Sequence, residues 1–426
     1  MFEFGLHPGV LFGLAIGLFL LFHIALDWPL PVAFIAVAVA TAFLGDFGIP
    51  FRHLVEGGFG FINLILALFG GAFFGHMMRS SGAADAAAAG IVRAVGGRVF
   101  PTLTLVALPL FVVGMFVGLS GVAVLSAGVF AVPALRRLGY DDATIAAFVA
   151  VLATAGMIAP PMNVPAMLIA DGTNTPWVNV SKALLALSVP LAVAALAWFT
   201  WGRGPTQSRG ASAEGASWGL CLRGLMPLLL MVAIWVGVRV FPDTLVDPVS
   251  PLILVIGGLA ALPMTPRGEL RKVIVSTFTG MPLFLGAVLV TVGIFVQVMT
   301  LTGVRGWLVV SVMSLEAPWN YLSLLIGMPL VGGPLTSMAV ADVIGVPAAF
   351  SFIGQDMILN IAALSAISAL AEFVAPTSIA AALSCYIVGG PMVGQVVRRA
   401  WPPMAFLAAL AVLMLLLAPR LTGILT

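Results

Sequence analysis

The sequence predicts an all-α polytopic membrane protein built from two inverted repeats, each with a re-entrant helical hairpin and a broken helix. Three observations carry this. Apolar residues make up 62% of the 426 positions and charged ones 8%, with a mean hydropathy of +1.18, whereas a soluble domain carries about 25% charged residues. Apolar runs close to the roughly 20 residues that span a bilayer recur almost end to end. Two stretches in opposite halves interrupt such runs with proline, Ala153–Asn163 at Pro160 and Pro161 and Ile367–Ser378 at Pro376. Pro376 follows Pro160 by 216 positions (376 − 160), about half the chain. Proline removes a backbone donor and frees a carbonyl one turn back. Hydrocarbon tolerates those freed groups only where protein, water or a bound solute satisfies them. Broken helices at matching places in two halves point to the binding site of a secondary transporter.

In the first repeat, residues 1–201, spans are expected near 9–26, 30–46, 61–79, 143–170 and 182–201. Residues 100–118 and 119–137 form a pair whose joint, Gly118-Leu119-Ser120-Gly121, is small and polar and suits a hairpin entering and leaving on one side. Met1 to Ala25 has neither a basic start nor a small-residue cleavage site, so the first span reads as retained rather than as a signal peptide. Arg52, His53 and Glu56 interrupt an apolar region and read either as an interfacial helix bracing a scaffold or as a plain loop. Residues 202–219 read as an exposed cytoplasmic linker, rich in Gly, Ser and Ala with Arg203 and Arg209. The second repeat, 220–426, has expected spans near 220–241, 249–266, 273–303, 352–388 and 400–418. Its hairpin-like pair, 307–327 and 328–346, joins around Gly332-Gly333-Pro334.

Charge fits this layout. With the N-terminus outside and five crossings in the first half, Arg52, Lys182, Arg239, Arg305 and Arg420 fall outside. The other 13 of the 18 Lys and Arg (18 − 5) fall in cytoplasmic loops, following the positive-inside rule. An odd number of crossings starts the second half inside and makes the halves inverted repeats. A net charge of +2 is too small to imply nucleic acid. Cys221 and Cys385 sit in apolar segments and read as packing residues rather than a disulfide or metal pair.

Hard oxygen ligands cluster at the two breaks, from Ser120, Thr154, Asn163, Thr336, Ser337, Asn360, Thr377 and Ser378. The C-terminal ends of half-helices suit a sodium ion and the N-terminal ends a carboxylate. Each Ser or Thr alone reads as helix packing; their clustering favours a site. Glu372, four residues before Pro376, reads as a cation ligand or a proton carrier, because intramembrane acids are costly and usually functional. Asp342 either joins it or sits at a hairpin end in water. No Arg or Lys lies at either break, so an anion would rely on helix ends and amides. An intramembrane serine protease at Ser120 would need a general base, yet His7, His23, His53 and His76 lie off the later broken helices and no His-Glu-x-x-His motif occurs. A channel would show a filter repeat or a charge-lined pore helix, and the sequence has neither. An enzyme is not expected.

From Gly118 to Asn163 the chain resembles the large membrane subunit of TRAP transporters, within the ion transporter superfamily. The resemblance rests on the turn at Ser120-Gly121, then Pro133, Gly139-Tyr140-Asp141 and the break at Ile158-Ala159-Pro160-Pro161. Pro31-Val32-Ala33-Phe34 and the run from Leu66 to Gly82 add to it, and the likeness covers nearly the whole length. It implies an elevator-type carrier in a bacterial inner membrane, driven by sodium and specific for small organic anions such as carboxylates. Carried over by position, one sodium site involves Ser120, Gly121, Thr154, Gly156 and Pro160. The other involves Gly332, Gly333, Thr336, Ala375 and Thr377, although this chain has Ala375-Pro376-Thr377-Ser378 where the family has Thr-Pro-Pro. Substrate contacts are expected from Asn163, Ser337, Asn360, Glu372 and Ser378. The expected scaffold is about 9–79 and 220–266, and the transport domain about 100–170 and 307–388. The resemblance also implies a small four-helix membrane subunit and a periplasmic substrate-binding protein as partners beside membrane lipid. Proton coupling and a different substrate class stay open.

Overall fold

The computed structural model describes residues 6–202, 204, 218–241, 249–315, 319–352 and 354–425. Apart from Gly202 and Gly204, the expected linker up to Ser217 lies outside them. Among the described residues the chain is all helical with no strand. The first half holds α1 (Pro8–Phe19), α2 (Leu30–Leu44), α3 (Phe51–Phe59), α4 (Ile62–Ser80), α5 (Ala83–Ala94), α6 (Val99–Val117), α7 (Ser120–Ser126), α8 (Gly128–Leu138), α9 (Asp142–Met157), α10 (Val164–Gly172) and α11 (Val180–Ala197). The second holds α12 (Trp218–Val240), α13 (Val249–Leu259), α14 (Glu269–Thr277), α15 (Gly280–Leu301), α16 (Val304–Met313), α17 (Trp319–Leu335), α18 (Ser337–Val340), α19 (Val346–Phe350), α20 (Met357–Ala369), α21 (Ile379–Val388) and α22 (Val393–Leu421). Seven described helices are long and apolar enough to cross a membrane, or eight if α7 and α8, bent by 60°, count as one span. The protein is a multi-pass membrane protein.

Two helices form the centre. All of α9 from Ala143 to Met157 is buried, wrapped by α6, α7, α8, α11, α21 and α22. From Leu359 to Ala369, α20 is equally buried, against α10, α11, α17 and α22. A helix apolar on every side belongs in such an interior. Around this centre lie α2, α3, α4, α5, α12, α13 and α15, which pack chiefly on one another. Large apolar side chains such as Phe43 of α2 and Leu222 of α12 are exposed there, as lipid-facing positions are.

The segment around Arg52 is a helix rather than an irregular loop. Arg52 Nε donates to Glu56 one turn on at 2.7 Å, a favourable i,i+4 pair, and Gly57 packs on the backbone of Gly293 and Ile294 in α15. The chain turns at the first expected joint. Gly118 takes φ +71, a conformation open to a residue without Cβ, and α7 and α8 return alongside α6.

The second hairpin differs from expectation. The chain runs unbroken from Trp319 to Leu335, so no joint occurs at 327 and 328, and Gly332-Gly333-Pro334 lies inside the last turn of α17. The turn falls at Thr336, φ +83, whose hydroxyl caps α18 by accepting from Ala339 N at 3.4 Å. The span 352–388 is broken, as the sequence predicts around Pro376, into α20, a short 3-10 turn at Leu370–Phe373, and α21.

Candidate functional site

Each break is built by the same local logic. Asp141 caps the start of α9, accepting from Thr144 N at 3.1 Å, and the helix runs until Pro160 and Pro161 can no longer donate. Beyond them Asn163 caps α10, accepting from Ala166 N at 3.0 Å. In the second half Asp356 caps α20, accepting from Ile358 N at 3.0 Å, Pro376 ends the run, and Ser378 begins α21. The Pro160–Pro161 and Ala375–Pro376 bonds are both cis.

Each hairpin then grips its own break through the backbone. Met162 N donates to Met115 O at 3.1 Å, and Thr377 N donates to Gly333 O at 3.1 Å. Glycine permits the approach. A Cβ on Gly156 would meet Phe111 O at 2.5 Å, and one on Gly333 would collide with Ala375 O. Closely packed backbones at small residues are how helices associate without a hydrophobic drive.

The hairpins meet each other at Glu372, which is 2% exposed. Ser120 Oγ, at the first tip, donates to Glu372 Oε2 at 2.6 Å. Ser337 Oγ, at the second tip, donates to Oε1. Ala380 N, in the first turn of α21, donates to Oε2 at 3.0 Å. No Lys, Arg or His among the described residues pairs with this carboxylate. A cavity of about 20 Å³ adjoins it, bounded by Leu64 and Leu68 of α4, Leu285 and Leu289 of α15, and Ser120 and Gly121. That is room for about one water-sized particle.

The remaining site residues fall into four groups. Gly332, Gly333, Ala375 and Thr377 come together, with Thr377 Oγ1 donating to Gly333 O at 2.5 Å. Thr154 and Asn163 spend their polar atoms on the fold. Thr154 Oγ1 donates to Ala150 O at 2.9 Å, and Asn163 Nδ2 donates to Ile158 O and Ser365 Oγ, both at 3.1 Å. Asn360 and Ser378 are buried and their side-chain polar atoms have no partner. Gly156 and Pro160 shape the first break. Asp342 is away from this centre, paired with Arg305 at 2.6 Å.

The Ala380 N–H and Ser365 are absent from the sequence reading. The Ala380 N–H has no signature of its own. Ser365 does, since Ser365 and Ser368 put hydroxyls on the run leading into the break.

A comparison with curated proteins finds no match. The family model described as tripartite ATP-independent periplasmic transporter, DctM component, matches residues 16–420, a stretch that holds both hairpins, both breaks and Glu372. By that match the chain belongs to the DctM family, the large membrane component of TRAP transporters.

Proposed function

We propose that this chain carries a small organic acid across a bacterial inner membrane, coupled to sodium, by sliding a transport domain past a scaffold. The observation that carries the reading is the convergence of both hairpin tips and the second break on one buried carboxylate, Glu372. A site shared by both tips senses the position of both at once, which alternating access requires. A carboxylate out of water without a cation is costly, and a sodium ion beside Ser120, Ser337 and Glu372 offsets that cost. Thr377 and Gly333 O, with the Ala375 carbonyl, supply a second set of oxygens. The free polar atoms of Asn360 and Ser378 are left for the solute.

The halves act as inverted repeats, with α6–α10 and α17–α21 as the moving part. The tripartite family description supports two partners, a small membrane subunit seated on the scaffold and a periplasmic protein that delivers the solute. Ser120 donates to a carboxylate rather than to an imidazole, which does not favour the protease alternative.

The test is uptake of a panel of labelled organic acids into proteoliposomes holding the chain with its partner proteins. Accumulation above equilibrium with a sodium gradient, lost when potassium replaces sodium, is the expected result. Equilibration without accumulation in both salts would sink the coupled-carrier reading.

A further inference from the structure

We infer that a cavity beside the first hairpin tip binds the carboxylate group of a small organic anion, with Arg239 as its cation. The identity of the bound solute as cargo rests on the transport reading above. The chemistry rests on the cavity alone. It encloses about 230 Å³ between the ends of α12 and α13, the start of α4, the tip and the first break. That is just under the roughly 300 Å³ of the smallest usual ligand pockets, so the solute is small.

Three features set its chemistry. Arg239 has no carboxylate partner among the described residues. Among the described residues the exposed Arg239 is hydrogen-bonded through Nη2 to Met162 Sδ alone, at 3.4 Å, a weak acceptor that leaves the rest of the guanidinium fork to solvent or a solute. Trp235 is 5% exposed and its ring stacks flat on Phe116, centroids 5.4 Å apart and planes 2° apart. Its indole N–H nevertheless has no acceptor, where a buried Trp usually finds one. Asn63 and Ser250 add neutral polar groups to a wall otherwise mostly apolar.

A guanidinium fork, a fixed N–H and an apolar wall match a carboxylate on a short hydrocarbon body. A cationic solute would be repelled by Arg239, and a neutral one would gain nothing from its charge. Leu64 and Leu119 line both this cavity and the one beside Glu372. An anion held at Arg239 therefore waits one layer of side chains from the centre where the tips meet. The sequence offered no Arg or Lys at either break. The fold supplies one, 77 residues from Met162 along the chain.

The test needs no knowledge of the natural solute. Ser250→Cys in the detergent-solubilised full chain is treated with methanethiosulfonate reagents carrying a sulfonate or a trimethylammonium group, and the unsubstituted chain gives the background from Cys221 and Cys385. The sulfonate reagent should react faster, and Arg239→Gln should lower the sulfonate-to-ammonium rate ratio by about ten-fold, the lower end of electrostatic focusing in a cleft. Arg239→Lys, which keeps the charge, should restore most of the ratio and guards against misfolding of the Gln variant. A ratio near one with Arg239 present, or one that Arg239→Gln leaves unchanged, overturns the site. Neither outcome touches the sodium-driven uptake by which the transport reading stands or falls.

Discussion

The two hairpin–break units share a backbone frame and differ in what they do with polarity. In the first, the position four residues before the cis proline is Met157; in the second it is Glu372. The first break is capped by Asn163, whose amide is fully spent on Ile158, Ser365 and Ala166. The second begins α21 at Ser378, held at φ +39 with its hydroxyl unused. Buried polar groups are normally satisfied, so an exception calls for an explanation. The first unit spends its polar atoms on protein, reaching Ser365 and Glu372 of the other half, and the second keeps free valence at Ser378 and Asn360. Equal scaffolds with unequal chemistry are what a carrier needs if one unit holds shape while the other senses cargo.

The largest expected effect comes from making the second unit resemble the first. Glu372→Met removes the acceptor of Ser120, Ser337 and Ala380 N together. We predict that sodium-driven uptake falls by about a hundred-fold, the equivalent of roughly 3 kcal/mol, in the liposome assay. Uptake within a few-fold of the parent chain would show that the tips do not work through this carboxylate. Next come the glycine contacts. Gly156→Ala and Gly333→Ala each force a methyl against backbone, and overpacking of this kind costs about 1–3 kcal/mol. Both variants should melt at lower temperature in detergent, and an unchanged melting curve for either would mean that its hairpin yields freely.

A sharper contrast lies in the caps. Asn163→Ala should destabilise the fold by about 1 kcal/mol, whereas Ser378→Ala should leave the melting temperature nearly unchanged and weaken uptake instead. Equal thermal shifts in the two variants would erase the proposed division of labour. The smallest effect is expected between two hydroxyls. Ser120→Ala should raise the sodium concentration for half-maximal uptake several-fold, while Thr154→Ala, whose hydroxyl is already bonded to Ala150 O, should move it by less than about two-fold, in line with a helix-internal hydroxyl being nearly neutral. A larger shift in Thr154→Ala would reverse the assignment.

Much of this architecture is legible in the sequence because proline and glycine act locally. The breaks at Pro160 and Pro376 and the tip at Gly118 follow from one residue's own constraints. The second tip misleads for the same reason. Gly332-Gly333-Pro334 carries turn residues, yet they serve as a flat surface for Val374 and Ala375, while the turn itself uses Thr336, a β-branched residue at positive φ that local propensity disfavours. The site was legible as a list of oxygens but not as a set of contacts. Ser120 and Glu372 are 252 residues apart, and no local rule says that one hydroxyl reaches across the halves while Thr154 turns back on its own helix. The distance of Arg239 from the breaks in sequence hides its place beside Met162.

One seam deserves a mechanical reading. Along α4, Gly71 and Gly75 lie one turn apart and face Val122 and the Leu125 carbonyl of α7. Under the sliding reading, the moving helix meets bare backbone there instead of interlocking side chains, so a shift of one turn along α4 forfeits little packing. Such a seam behaves as a bearing. At the end of this helix Arg79 donates to Ile387 O at the close of α21, beside a second contact between the same two helices, Tyr386 Oη to His76 Nε2 at 3.4 Å, and under that reading both part before the stroke. Under that reading the helix combines a smooth track with a polar latch in which the charged arginine is the stronger member, and the dwell time in this position would be set by that arginine rather than by the area of the interface. Single-molecule dwell times that stay unchanged when Arg79 is replaced by Met would place the latch elsewhere.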